Sequence, residues 1–262
     1  MGPLTPSLGR RVLVTAGASG IGAAIAAAFA AEGARVSVAD VDGPAVSRAV
    51  DEGRVVHGVV ADVSDPGAVD AWFDDVLERW GGLDVLVNNA GVAGPTAPVE
   101  DVTPEEWRRC LAVDLDSHFL TSRRAAPVLK AQRSGCVIAL SSTAGLVGMG
   151  LRTPYAAAKW AVIGLVKSLA IELGPYGVRV NAVCPGSVEG PRMRGVIDRE
   201  ARAREVAAED VERGYVEGQS IARFVQAREI ADMCTFLASD RASMVSGQAI
   251  AVDGHTETFR TR

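Results

Sequence analysis

The sequence predicts an α/β chain: a doubly wound parallel sheet of about seven strands held between helices in three αβα layers. Three observations carry this. Short β-branched runs alternate with longer helical stretches from one end to the other. Several runs are almost wholly apolar, as strands covered on both faces are. And 262 residues, 48% hydrophobic and 23% charged, suffice to bury such a sheet, with no linker or repeat to divide 1–262 into more than one domain.

In order, strands are predicted at 11–15, 35–39, 55–60, 85–88, 136–141, 178–183 and 249–252. Helices between them carry start and stop signals. Pro66 after Ser64-Asp65 opens one helix, whose Val69, Phe73, Leu77 and Trp80 share a face until Gly81-Gly82. Thr103-Pro104 with Glu106 forms a capping box. Thr153-Pro154 opens another, striped by Val162, Leu165, Val166, Leu169 and Leu173 and closed by Gly174-Pro175. Right-handed crossovers between such units put ligands beyond the carboxyl ends of the strands, where strand order reverses. The least regular stretch, 187–223, is rich in Arg and Glu and follows the sixth strand. An insertion there overhangs the ligand crevice, which favours a lid over the substrate above a solvated surface excursion.

Composition narrows the partners. A net charge of -5 gives no reason to expect nucleic acid or an anionic membrane. Cys110, Cys136, Cys184 and Cys234 form no Cys-x-x-Cys pair, and His57, His118 and His255 are scattered, so neither a disulfide nor a metal site is expected. Arg10-Arg11 followed by an uncharged run from Val12 to Ala31 imitates a leader or a membrane span. Thr15, Gly17, Ser19, Gly20 and Gly22 interrupt it, and it reads as strand, glycine turn and helix. The expectation is a soluble, cytoplasmic protein acting on a small molecule.

The first strand leads into Thr15-Ala16-Gly17-Ala18-Ser19-Gly20-Ile21-Gly22, then a helix with Ile21, Ile25 and Phe29 on one face. Glycines in this turn let the backbone approach a pyrophosphate, which meets free N–H groups and the positive end of the helix dipole. The spacing is Gly-x-x-Gly-x-Gly instead of the common Gly-x-Gly-x-x-Gly, so the sheet is Rossmann-like with a variant turn. Asp40 closes the second strand, about where an acid accepts hydrogen bonds from an adenosine ribose and repels a 2′-phosphate. Its neighbours Ser19, Ala39 and Val41 are uncharged, so NAD is predicted over NADP; Asp42 is better placed to cap the next helix.

Tyr155 and Lys159 are four apart at the start of the 153–173 helix and project from one face. Tyrosine ordinarily ionises at about pH 10, and an adjacent ammonium favours its phenolate. Ser142 follows a buried strand with its hydroxyl toward the crevice, and Asn88-Asn89-Ala90-Gly91 ends another strand of the same layer.

Together these motifs resemble the short-chain dehydrogenase/reductase family, over almost the whole chain from Arg11 to about Gly254. The resemblance rests on the variant glycine turn, Asp62-Val63 after the third strand, Asn88-Asn89-Ala90-Gly91, and Ser142 thirteen positions before Tyr155. It continues through Tyr155-x-x-x-Lys159, Asn181-Ala-Val-Cys-Pro185-Gly186 and Ile250-Ala-Val-Asp253-Gly254. It implies an NAD-dependent oxidoreductase that interconverts a secondary alcohol, or a sugar hemiacetal, and a carbonyl by direct hydride transfer. The implied cofactor contacts are Gly17, Ser19, Gly20, Ile21 and Gly22 at the turn and Asp62 and Val63 at the adenine. Asn89, with Ala90 and Gly91, lies on the ribose side, and Pro185, Gly186 and Val188 at the nicotinamide. Tyr155 moves the proton, Lys159 binds the nicotinamide ribose and favours the phenolate, and Ser142 hydrogen-bonds the substrate oxygen. The family is usually tetrameric, so a homo-oligomer is expected.

Four positions depart from the family. Ala16 replaces the first glycine of the turn, a change tolerated if its φ stays negative. Asp114 stands where the fourth catalytic residue is usually Asn, and its charge is expected to shift the pH profile while activity is retained. Gly190 replaces a hydroxyl residue that contacts the cofactor, and His255 replaces a second glycine, where it is either a substrate contact or a surface histidine. Candidate substrate walls are Ala93, Gly94, Ala144, Met149, Arg152, Ser187, Glu189, Arg192 and Met193. Arg152, Arg192 and Arg194 suit an anionic group, while Glu189, Asp198 and Glu200 could equally neutralise them. With 5% aromatic residues there is no sign of a steroid-sized pocket. A small sugar, polyol or hydroxy acid is the first expectation; a 3-oxoacyl reductase-like carbonyl reductase and a non-catalytic NAD-sensing protein are the alternatives.

Overall fold

The computed structural model describes residues 8–256 and gathers the described strands into one parallel sheet. β1 (Arg11–Thr15), β2 (Arg35–Asp40), β3 (His57–Val60), β4 (Val85–Asn88), β5 (Gly135–Leu140), β6 (Val178–Pro185) and β7 (Ala249–Val252) lie in the order β3-β2-β1-β4-β5-β6-β7. Strand order reverses between β1 and β4, which opens a crevice at their carboxyl ends. The seven strands fall where the sequence put them, with small shifts at their ends. β6 runs on to Pro185 because that residue still pairs with Val252 of β7, and β3 starts only at His57, opposite Ser37.

Side-chain alternation fills both faces. Val12 and Val14 of β1, with Val85, Val87 and Ile138, join Ile25 and Phe29 of α1 (Gly20–Ala31) and Ile230 and Leu237 of α9 (Ala227–Ala238). Leu13, Leu86 and Val137 face the other way, onto Trp72 and Phe73 of α3 (Pro66–Trp80), Leu129 of α5 (Ser117–Gln132), and Val162 and Val166 of α6 (Thr153–Leu173). Burial on both faces is why these strands read as unbroken apolar runs. The polar exception in β2, Ser37, is satisfied: its hydroxyl accepts from Trp72 Nε1 at 2.9 Å and meets His57 Nδ1 at 2.8 Å.

The helix signals also hold. Asp42 caps α2 (Gly43–Asp51) by accepting the Ala45 N–H at 3.0 Å, and Thr103 and Glu106 form the capping box of α4 (Pro104–Leu111). From α4 the chain passes through one π-helical turn, Ala112–Asp116, into α5. The stretch that reads as irregular in the sequence contains two helices, α7 (Pro191–Arg204) and α8 (Ala208–Glu217). They share a small apolar cluster of their own, Val196, Ile197, Ala201, Val211 and Tyr215, which packs on Ala93, Met149 and Met193.

Ala16 corrects the sequence reading: its φ is +48°, in the left-handed region, not negative. The turn demands it. The Ala16 N–H donates to Ala39 at 2.6 Å while its carbonyl accepts from Asn89 Nδ2 at 3.0 Å, so both peptide groups are fixed. A Cβ in that conformation costs about 1–2 kcal/mol. α1 then seats directly on the turn, since a Cβ added to Gly22 would come within 2.0 Å of the Ala16 carbonyl oxygen. Gly22→Ala is therefore expected to lose about 1–3 kcal/mol in thermal or urea denaturation; an unchanged midpoint would mean that α1 can lift off the turn without penalty.

Candidate active site

At the head of the crevice Ser19 caps α1 in an extended conformation without hydrogen-bonding its own helix. Its hydroxyl is thus left at the positive end of the dipole, beside the first-turn N–H groups of Gly20, Ile21 and Gly22. Gly17 lies so close to β2 that a Cβ would meet Val38 Cγ1 at 2.5 Å. Asp40 is buried at the end of β2, one oxygen accepting the Ala18 N–H at 3.0 Å and the other the Asp42 N–H at 3.1 Å. Among the described residues no cation pairs with it, and each oxygen keeps lone-pair capacity. A helix terminus, a close-packed turn and a buried carboxylate with lone pairs to spare fit a nicotinamide dinucleotide.

Asn89 also has a structural task at the turn. Its Nδ2 donates to the carbonyls of both Thr15 and Ala16 at 3.0 Å, while the Asn89 and Ala90 N–H groups share Thr15 Oγ1 at 2.9 Å. Its amide thereby ties the end of β4 to the glycine turn. Asp62 accepts the Ser64 N–H at 2.9 Å and hydroxyl at 2.6 Å and pairs with Arg109 at 3.2 Å. Burial alone would raise its pKa, but the Ser64 donors and Arg109 together hold it below the usual range. Val63 is buried beside it. On the far side Pro185 ends β6, the Gly186 N–H donates to Val252 at 3.0 Å, and Val188 pairs with Val225.

Tyr155 and Lys159 occupy the first turns of α6. Lys159 is 3% exposed; its Nζ donates to the Leu140 carbonyl at 3.0 Å and lies 3.2 Å from Asp114 Oδ1. That last contact is one of charge, with no donor aligned on Oδ1. Asp114 sits on the π-helical turn, fully buried, and its Oδ2 accepts the Val92 N–H at 3.2 Å. A Cβ on Gly91 would stand 2.6 Å from Asp114 Oδ1 and 3.3 Å from Lys159 Nζ, so glycine is what lets the end of β4 close on the pair. Ser141 donates to the Lys159 carbonyl at 2.8 Å, which seats the following turn on α6. There Ser142 accepts the Ala144 N–H at 3.1 Å and keeps its own hydrogen to give.

Two titratable neighbours are silenced. Burial, then Asp114, pushes the Cys110 thiol up to about 12, so it stays protonated. Burial, then Lys159, pushes His118 down to about 3, so it stays neutral, with Nε2 3.3 Å from the Ala90 carbonyl. Among the described residues no group of three metal-ligating side chains is assembled.

On the substrate side Arg152 is 4% exposed, its guanidinium 4.9 Å over the Tyr155 ring centroid, with Nη2 donating to the Ala93 carbonyl at 2.6 Å. Arg192 donates to the Gly91 carbonyl at 3.0 Å, and Met193 belongs to the apolar contact with α7 and α8. Ser187 is buried and its carbonyl accepts the Val225 N–H at 2.9 Å. Of the acids that might have neutralised the arginines, Glu189 accepts from Gln226 at 2.6 Å, and Glu200 from Tyr215 at 2.6 Å and Arg204 at 3.0 Å. The exposed Asp198 forms no ion pair among the described residues, but its charge is felt by Arg199. His255 hydrogen-bonds Ser220 at 2.7 Å, tying the end of β7 to the chain after α8. Gly190 precedes α7 with φ +148°, a conformation that a hydroxyl residue does not readily share, which accounts for its departure from the family.

Sequence reasoning missed Arg199. It lies seven residues after Arg192 on α7, hence on the same face, and its guanidinium Nε is buried without a partner. Reading Pro191 as a helix start would have exposed that spacing.

A family model described as Enoyl-(Acyl carrier protein) reductase matches residues 15–255. The chain belongs to the short-chain dehydrogenase/reductase family and is an oxidoreductase of that class. It is 41% identical over 253 residues to a trans-4-hydroxycyclohexanecarboxylate dehydrogenase of Sinomonas cyclohexanicum, covering 92% of this chain and 90% of the relative. Its fold matches an NAD+-bound xylitol dehydrogenase with a TM-score of 0.91 at 27% identity, covering 95% of this chain and 99% of that one. It also matches an actinorhodin polyketide ketoreductase variant with NADPH, with a TM-score of 0.89 at 32% identity, covering 94% of this chain and 96% of that one.

Asp114→Ala would leave the Lys159 ammonium buried beside a cavity, and a loss of about 3–5 kcal/mol is expected in denaturant titration. Asp114→Asn keeps the shape and should fold; a milder loss for Ala than for Asn would show that the ion pair does not carry the site.

Proposed function

We propose that this chain interconverts a secondary alcohol and a carbonyl on a small polar hydroxy compound, with NAD as hydride carrier and Tyr155 as acid/base. The observation that carries the reading is the buried ammonium of Lys159 one helical turn behind Tyr155, at the carboxyl end of β5. NAD, when bound, supplies the hydride acceptor. In the oxidative direction Tyr155 Oη takes the proton of the substrate hydroxyl while the Ser142 hydroxyl donates to the same oxygen. Lys159 has three N–H donors; with one on the Leu140 carbonyl, donors remain for the nicotinamide ribose. Arg152 over the ring and the apolar contact of Ala93 and Met149 with α7 support a compact substrate space with the 187–223 segment as its lid.

Since both NAD+ and NADPH occur among the solved relatives, the choice of NAD rests on Asp40, which no cation among the described residues compensates. The substrate class draws on the hydroxycyclohexanecarboxylate dehydrogenase and the xylitol dehydrogenase. A ketoreductase reading has the NADPH-bound relative in its favour and Asp40 against it. A homo-oligomer, most simply a tetramer, has support from the exposed Phe119 of α5 and Trp160 and Ile171 of α6, which a second copy would cover.

Three measurements test this. Tyr155→Phe should lower turnover by about 10²- to 10⁴-fold while NAD titration stays at the wild-type affinity; turnover within a few-fold of wild type removes Tyr155 from the role. NAD should bind more tightly than NADP in the same titration, and the reverse order would overturn the Asp40 argument. Asp114→Asn removes a negative charge beside Lys159, so the alkaline rise of alcohol oxidation should move to lower pH; a superimposable pH profile counts against any influence of Asp114.

A further inference from the structure

Arg152 and Arg199 are two neighbouring cations, and among the described residues neither is ion-paired to a carboxylate. Arg152 is nine-tenths buried at the N-terminus of α6, and its Nε has no partner. Arg199 reaches in from α7, and its Nε is likewise buried and unpartnered. Burial first, then the charges of Arg152, Arg202 and Arg192, hold the Arg199 guanidinium below its ordinary pKa against the weaker opposing pull of the exposed Asp198, so Arg199 feels a surplus of positive charge. No ion pair joins Arg152 or Arg199 to a carboxylate among the described residues. The buried acid of α7, Glu200, is held by Tyr215 and Arg204, and Asp198 is exposed. Leaving buried guanidinium N–H groups unsatisfied beside a second cation is unfavourable, and an anion seated between them would remove both penalties at once.

We propose that Arg152 and Arg199 form a carboxylate clamp, so that the substrate is a small hydroxy acid. This rests on the alcohol–carbonyl reading of Tyr155. Guanidinium groups bind carboxylates through paired N–H donors, and Nε is one of the two donors of a side-on fork. Placement sets the size. The Arg152 guanidinium is stacked 4.9 Å over the Tyr155 ring, so a carboxylate on it lies only a few carbons from the carbinol that Tyr155 serves. A short 3-hydroxy acid or a single hydroxylated ring fits that separation; a long acyl chain with a distant carboxylate does not. Arg199 comes from α7, so the clamp also ties this helix to the substrate.

The test compares 4-hydroxycyclohexanecarboxylate and 3-hydroxybutyrate with their primary amides, with NAD and the full chain. The kcat/KM of at least one acid should exceed that of its amide by about 100-fold, and Arg152→Gln should bring that ratio to within a few-fold of one. Arg199→Gln, at a half-exposed position that tolerates change, should lower the ratio by about 10-fold. Equal rates for acid and amide in the wild type overturn the clamp while leaving the oxidoreductase reading standing. So does a ratio that neither variant alters. A second readout needs no turnover: calorimetric titration of cyclohexanecarboxylate, its amide and inorganic phosphate into NADH-loaded protein. Binding of the carboxylate alone, weakened in both variants, supports the clamp even if no alcohol on the panel is oxidised, in which case it is the reaction that fails. Phosphate binding as tightly as the carboxylate overturns the carboxylate assignment.

Discussion

The contact on which the site depends is the buried pair of Lys159 and Asp114. Each ion alone would lose several kcal/mol on leaving water, and only close approach and added hydrogen bonds offset that. The additions come from three other elements: the Leu140 carbonyl at the end of β5, the Val92 N–H after β4, and the glycine at 91 that leaves room for both charges. The π-helical turn between α4 and α5 brings Asp114 to that point. One buried pair thus ties β4, β5, α5 and α6 together around the proposed catalytic space.

The pair also changes the electrostatics of Tyr155. An Asn in place of Asp114 would leave the Lys159 charge uncancelled; the carboxylate cancels much of its field at a distance. This chain sets a second cation, Arg152, against the same ring at 4.9 Å, closer than the 5.7 Å from Lys159 Nζ. The tyrosine is therefore flanked by one neutralised and one uncancelled cation. His118 and Cys110, the other titratable groups packed around Asp114 and Lys159, are held neutral by burial and do not disturb the balance.

Legibility followed the range of the interactions. Strands covered on both faces, the proline starts of α3 and α4 and the capping box are local patterns, and the sequence carries them openly. The Tyr155–Lys159 pair was visible for the same reason, being spaced along one helix face. What depends on backbone conformation was hidden. Ala16 gives no sign that its φ is positive until the bonds to Ala39 and Asn89 are seen, and nothing in the sequence shows that the Asn89 amide braces the turn. Arg199 was missed because the segment around it reads as irregular, so the spacing that aligns it with Arg192 had no helix to act on.

The position of the arginines explains why α7 and α8 are built as they are. Their apolar cluster is small and separate from the two clusters that hold the sheet, and it touches the rest of the chain through Ala93, Met149 and Phe224. Elements anchored by few buried apolar contacts open at low free energy. Bringing Arg199 and Arg192 near Arg152 adds repulsion at that same contact, so the arrangement favours closure most when an anion lies between them. Weak apolar anchoring and a surplus of positive charge act in the same direction: α7 is held by Ala93, Met149 and their neighbours and by the Arg192 bond to the Gly91 carbonyl, and an anion between the arginines, as proposed, would add a further hold.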